Sequence, residues 1–189
     1  MVSIEKIISG LTNISEDEFS CDNVYQFLGD NPVDVDSISK YLFWSPAFYT
    51  RNLIYKDDRF EMMAICWEKG QVSAVHNHSD QKCWMMVPVG KLRGQNFAVD
   101  EMDENRSYCK LRETDAFELT DCLAAKVELE EPIHQILNLT EYDQRAVSIH
   151  IYSKPYDSCL SYCRDTHTFK EVSLCYTSIG GTLCENVTL

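Results

Sequence analysis

Along the first fifty positions apolar residues recur at helical spacing. Ile4, Ile7, Ile8 and Leu11 fall on one face, which predicts an amphipathic first helix. Ser15 followed by Glu18 has the capping-box form and predicts the start of a second helix carrying Val24, Phe27 and Leu28. After the Asn31-Pro32 loop, Ser37 is placed to cap a third helix with Ile38, Tyr41 and Leu42. From about Tyr49 the pattern changes to short runs of β-branched, aromatic and apolar residues broken by Gly, Asp, Asn and Pro. Residues 62–67, 83–89, 92–99, 116–128, 133–139 and 146–152 read as strands. No repeat, low-complexity tract or linker intervenes. The expectation is a single domain over 1–189, all-β in class, with a helical lead-in over 1–45 and a sandwich or small barrel with C-terminal strands over 46–189.

Composition narrows what such a domain can do. With 189 residues, 44% apolar and 25% charged, the chain can bury a real core. A net charge of −13 repels a phosphate backbone or an anionic bilayer, so neither nucleic acid nor membrane is expected as a partner. A small zwitterion feels little of that long-range field and is chosen by local groups. Residues 1–11 hold one basic residue, Lys6, and no long apolar run, so neither a signal peptide nor a span is expected. Nine cysteines, an odd count without any CxxC, predict reduced thiols and a cytoplasmic protein rather than a disulfide scaffold or zinc ribbon. On that reading the Asn-x-Ser/Thr triplets at Asn13, Asn105, Asn138 and Asn186 carry no glycan.

The five histidines carry the chemistry. His76 and His78 flank one residue, so on an extended strand both imidazoles face the same side and can share a metal. A His-x-His pair alone is also met as ordinary strand histidines. Here it lies within Gly70-x5-His-x-His-x4-Cys83-x6-Gly90, which is similar to the first signature of the cupin superfamily, with Cys83 where most cupins have a glutamate ligand. His134-x3-Asn138 resembles the second signature, although Glu131 stands in place of its usual glycine. Three neutral imidazoles leave iron(II) with its full charge and open positions for a thiolate and an amine. His167 lies outside every motif and is expected on the surface or in a loop.

Beyond the cupin pattern, the chain resembles the cysteine dioxygenases from about Tyr49 to Cys163. The resemblance rests on Tyr49-Thr50-Arg51-Asn52, Ile65-Cys66-Trp67, the run from Gly70 to Cys83, and Ser148-Ile149-His150-Ile151-Tyr152-Ser153. It implies a cupin jelly-roll β-barrel holding Fe(2+) on His76, His78 and His134. Arg51, with Tyr49 and Cys159 nearby, would bind the substrate. Ser148, His150 and Tyr152 would form a relay, and Cys83 would be joined to Tyr152 through a thioether. The implied reaction turns L-cysteine and O2 into cysteine sulfinic acid, a step of cysteine breakdown toward taurine and sulfate, in a monomer. The residues support parts of this independently. Arg51 offers a planar fork for a carboxylate, though such an Arg is also met in surface ion pairs. Ser148, His150 and Tyr152 alternate and share one strand face, as mutually satisfied polar groups also would.

The chain departs from the family at Ser153-Lys154-Pro155, where a proline is missing from the position whose peptide is cis in the family. The stretch before His134 also reads as longer than usual. Other readings stay open at this stage: a dioxygenase for 3-mercaptopropionate or cysteamine, a metal-binding cupin without catalysis, or a zinc hydrolase. Arg51 weighs against cysteamine, which has no carboxylate. The lack of a carboxylate beside the histidines weighs against hydrolysis.

Overall fold

The computed structural model describes residues 1–120, 124–126, 133–185 and 187–189. Cys122, Glu131, Asn186, the longer stretch before His134 and parts of the strand expected over 116–128 lie outside the described residues.

Helices α1 (Ile4–Asn13) and α2 (Cys21–Asp30) lead into the strands, separated and followed by short 3-10 turns. The apolar face of α1 forms as its spacing predicts, with Ile4, Ile7 and Leu11 fully buried. Each such side chain contributes about 2 kcal/mol by removing apolar surface from water. Two capping expectations fail. Ser15 bonds the Glu18 carboxylate at 2.7 Å but only heads the 3-10 turn Glu16–Glu18. The cap of α2 is Ser20, which accepts from the Asn23 amide at 3.2 Å. Ser37 lies inside the 3-10 helix Val35–Tyr41, whose cap is Asp34, and its hydroxyl oxygen instead accepts from the Ile4 amide at 2.9 Å. In both cases a neighbouring polar residue competes for the same backbone donors, and tertiary contact decides between them.

One sheet has the order β13-β12-β1-β2-β9-β4-β7. Its strands are β1 (Thr50–Lys56), β2 (Glu61–Trp67), β4 (Lys82–Val89), β7 (Ala124–Lys126), β9 (Ala146–Ser153), β12 (Ser178–Ile179) and β13 (Thr182–Leu183). The other has the order β10-β11-β6-β5-β8-β3, with β3 pairing back onto β10 so that the ring closes. It comprises β3 (Val75–His76), β5 (Leu92–Asp103), β6 (Tyr108–Leu119), β8 (Ile133–Leu137), β10 (Ser158–Cys163) and β11 (Thr168–Ser173). This is the cupin jelly roll, two sheets enclosing a core with helices on the outside.

Period-two alternation explains why β2 and β9 are buried on both faces. Met62, Ala64 and Cys66, with Val147, Ile149 and Ile151, pack under α1 and α2. Met63, Ile65 and Trp67, with Ala146 and Tyr152, face the space between the sheets. The N-terminal helices therefore cover one face and leave the other to form a site.

The strand expected over 116–128 is corrected. Residues 116–119 end β6, and Ala124–Lys126 is a separate strand in the other sheet. Most of β6 escaped notice because it lacks apolar alternation. It is held by its hairpin ladder with β5 and by cross-strand pairs such as Arg112–Asp100 at 3.0 Å. Gly70 and Gly90 both sit at positive φ, +83° and +74°. A Cβ at Gly90 would run into the Arg145 carbonyl, so the turn joining β4 to β5 requires glycine.

Candidate active site

Strand register brings the three histidines together. His76 on β3 lies directly opposite His134 on β8. The strand ends at His76, so His78 stands in the following loop rather than on an extended strand. Asn77 holds that loop, since its amide donates to the Leu160 carbonyl at 3.2 Å and its side-chain oxygen accepts from the Leu160 amide at 2.9 Å. The three ring centroids lie 4.7 to 5.2 Å apart, and one ligand atom from each ring falls within 4.8 Å of the others. Among the described residues no carboxylate or cysteine joins this cluster. The Asn138 amide nitrogen, buried, donates to the carbonyls of Trp67, Glu68 and Gln144, pinning the chain just after β8.

These imidazoles are arranged as ligands. His76 bonds the Ala74 carbonyl through Nδ1 at 2.9 Å, which sets the tautomer that frees Nε2. His78 Nδ1 and Nε2 and His134 Nε2 are buried without a hydrogen-bond partner. Orphaned buried nitrogens are costly, and a cation bound among them removes that cost. Burial holds all three pKa values below the ordinary histidine range, with the neighbouring imidazoles as a further cause for His78 and His134. Neutral imidazole is the form that coordinates a metal. The residues present therefore fit a divalent transition metal.

A second group lies on the interior face of β9. Trp67 Nε1 donates to Ser148 Oγ at 2.9 Å. Ser148 Oγ meets His150 Nε2 at 2.8 Å, and His150 Nδ1 meets the Tyr152 hydroxyl at 3.0 Å. Burial lowers the His150 pKa to about 3, so the ring is neutral at pH 7. The same burial raises the Tyr152 phenol well above its usual range and keeps it protonated. Cys83 on β4 is the direct cross-strand partner of Tyr152 and is fully buried. The Ser153–Lys154 peptide is cis, and the Lys154 amide donates to Gln81 Oε1 at 2.5 Å.

His76 of the first group and His150 and Tyr152 of the second border one cavity of about 80 Å³. Arg51 on β1 projects into it, and its Nε and Nη2 are buried without an acceptor. Tyr49 stacks on Trp67 with centroids 4.6 Å apart. Cys159 lines the cavity as a buried side chain. His167 sits at φ 53° between β10 and β11, with its ring 6.0 Å from that of Tyr108 and away from the other histidines. Three cavity residues had no role assigned from sequence, although Trp67 and Tyr156 fall in segments that resemble the family. Tyr156 packs edge-on against Tyr152 at 5.1 Å. Trp67 heads the serine–histidine–tyrosine chain, and Leu174 closes one wall. Trp67 was named only within its segment, and no local signal marks Leu174, which reads as ordinary core. Tyr156 could have been found from the polar run that carries Cys159.

The chain is 26% identical over 177 residues to human cysteine dioxygenase type 1, covering 91% of this chain and 84% of that protein. It is 29% identical over 138 residues to the bovine cysteine dioxygenase type 1, covering 70% and 64% of the two chains. A cupin domain from Bordetella pertussis superposes with a TM-score of 0.41 and 16% identity, over 60% of this chain and 100% of that one. The family model for cysteine dioxygenase type I matches residues 2–165, which contain all three histidines, Arg51 and the Cys83–Tyr152 pair, and the chain belongs to that family.

Proposed function

We propose that this chain oxidises the thiol of L-cysteine to the sulfinic acid with both atoms of dioxygen, using iron(II) held by His76, His78 and His134. The observation that carries the substrate reading is Arg51, whose Nε and Nη2 are buried without an acceptor beside the cavity that His76, His150 and Tyr152 border. A carboxylate supplies two such acceptors in the matching plane. The reaction balances without a further reductant, because sulfur loses four electrons and dioxygen gains four. Bound iron supplies open coordination positions for thiolate, amine and dioxygen, and the redox partner that dioxygen requires.

The protein's own groups do the rest. Arg51 fixes the carboxylate end and so sets where the thiol lies. Tyr49, Trp67, Ile65, Ile136 and Leu174 wall the cavity with apolar surface and limit its water. Trp67 donates to Ser148, which leaves the Ser148 proton for His150 Nε2. Nδ1 then carries the ring proton and donates to the Tyr152 oxygen, turning the phenol proton toward the substrate. In that tautomer Tyr152 donates a hydrogen bond to oxygen arriving at sulfur. With this reaction goes a proposed role in cysteine breakdown toward taurine and sulfate, in the cytoplasm and as a monomer, which membership of the family supports.

Oxygen uptake by the iron-loaded protein with cysteine, 3-mercaptopropionate and cysteamine tests this directly, with the product identified by mass. Uptake with cysteine well above the other two is expected. Preference for 3-mercaptopropionate would move the reading to another thiol, and no uptake with any thiol would leave a binding cupin.

The direct pairing of Cys83 with Tyr152 supports a thioether between them, since such partners have Cβ atoms about 5 Å apart. Its formation removes one hydrogen from the thiol and one from the ring, with dioxygen as acceptor. Aerobic turnover with iron and cysteine is therefore expected to lower the intact mass by two hydrogen atoms, and not in Cys83→Ser. An unchanged wild-type mass after sustained turnover would rule the link out.

A further inference from the structure

The chain beyond residue 165, past the matched family region, runs along the outer edge of β1 beside Arg51. The Thr177 amide donates to the Arg51 carbonyl at 2.7 Å, and the Arg51 amide donates to Thr177 Oγ1 at 3.1 Å. Arg51 lies opposite Ile65 of β2, and in an antiparallel ladder alternate residues turn their backbone groups away from the partner strand. Both backbone groups of Arg51 are thus satisfied by one residue of the C-terminal segment. The neighbouring residues repeat the grip. Ser178 Oγ donates to Asn52 Oδ1 at 2.9 Å, and the Gly180 amide donates to the Leu53 carbonyl at 2.9 Å.

Tyr176 ties the same segment to β2, the strand paired with β1. Its phenol donates to Glu61 Oε2 and accepts from Lys56 Nζ at 3.2 Å. Glu61 is fully buried on β2, directly opposite Tyr152 of β9. Just upstream, Leu174 forms cavity wall and its amide donates to the Asp157 carbonyl at 2.7 Å. One short stretch therefore joins the carboxylate-binding strand, the strand that pairs with the one bearing Tyr152, and the cavity wall.

We propose that residues 174–180 form a strap that positions Arg51 for carboxylate recognition, with Thr177 and Tyr176 as its positioning residues. Neither side chain lines the cavity. They act by fixing the backbone from which the guanidinium projects and the sheet edge beneath it. A guanidinium that must meet two carboxylate oxygens in one plane loses affinity when its backbone shifts by a fraction of an ångström. The proposal rests on the reading of Arg51 as the carboxylate anchor.

Thr177→Val keeps shape and removes the Oγ1 acceptor, leaving the Arg51 amide without its partner, while Thr177→Ser keeps it. Cysteine-dependent oxygen uptake by Thr177→Val is expected to show KM raised about tenfold with kcat within about twofold of wild type, the scale of one lost hydrogen bond. Tyr176→Phe is expected to shift KM in the same direction, and Thr177→Ser to restore the wild-type value. Bound iron per chain should be equal in all four proteins, because the histidines lie on other strands. A KM unchanged in Thr177→Val, or a loss confined to kcat, would overturn the proposal. Amide hydrogen exchange at Arg51 gives a readout independent of turnover. Exchange in the iron-free protein should be slow in wild type and Thr177→Ser and fast in Thr177→Val. Equal protection in all three would overturn the strap even if wild type consumes no oxygen with cysteine, a result that would instead defeat the assigned reaction.

Discussion

Replacing His134 by alanine is expected to abolish stoichiometric iron binding and, with it, oxygen uptake with cysteine. The centre has three neutral imidazoles and, among the described residues, no carboxylate in reserve. Two remaining ligands cannot hold a facial site against water. Loss of an outer partner of a metal ligand already costs about 10- to 100-fold in affinity, and loss of a ligand itself costs more. His134 is buried against His76 and His78, so alanine also leaves a void that no nearby polar group fills. The effect on the metal separates from the effect on the fold by thermal unfolding with and without iron(II). A bound ligand at about 100 times its Kd stabilises the native state by about 2.7 kcal/mol. Wild type should show that rise in Tm and His134→Ala should not, while both unfold cooperatively in the absence of metal. A variant retaining one iron per chain would show that the centre is not built on this triad.

Arg51→Ala is expected to raise KM for cysteine by about 100- to 10,000-fold, from the loss of two charge-assisted hydrogen bonds of about 1.5 to 3 kcal/mol each. The Nε and Nη2 nitrogens of the guanidinium are already buried by the protein, so binding a carboxylate there removes little further surface from water. Arg51→Lys should recover only part of the loss, because an ammonium cannot match both oxygens in one plane. Cysteamine lacks a carboxylate, and whatever slow uptake it supports should be insensitive to the substitution. Iron content should not change. Equal KM values for wild type and Arg51→Ala would remove the carboxylate anchor and the preference for an amino-acid thiol that follows from it.

Sequence made the functional groups legible in unequal ways. His76, His78 and His134 could be picked out because metal ligation demands one residue type at restricted spacing, and glycines at positive φ framed the first two. Ser148, His150 and Tyr152 could be grouped because a strand repeats every two residues, and in the structure they do form one hydrogen-bonded chain. The role of Trp67 at the head of that chain was not legible, since a tryptophan on a buried strand reads the same whether or not its indole N–H has a polar task. Glu61 was equally silent. A single glutamate at a strand start looks like a solvated charge, and its burial is explained by Tyr176, arriving from far along the chain, together with Lys56 at 3.6 Å. The hairpin of β5 and β6 was truncated in the sequence reading because its outer half carries charge on both faces and owes its order to the ladder.

The sequence by itself determined the class of fold, the metal-binding residue types and the presence of a guanidinium suited to a carboxylate. These follow from local periodicity and from side-chain chemistry, which neighbouring residues can change but not replace. Only the tertiary structure decided which helix caps form, which strands meet, and that Cys83 faces Tyr152. It alone showed that a C-terminal segment holds Arg51 by its backbone. Those outcomes depend on pairing register and on long-range backbone hydrogen bonds, whose partners are interchangeable in chemistry and so leave no mark in the residues that make them.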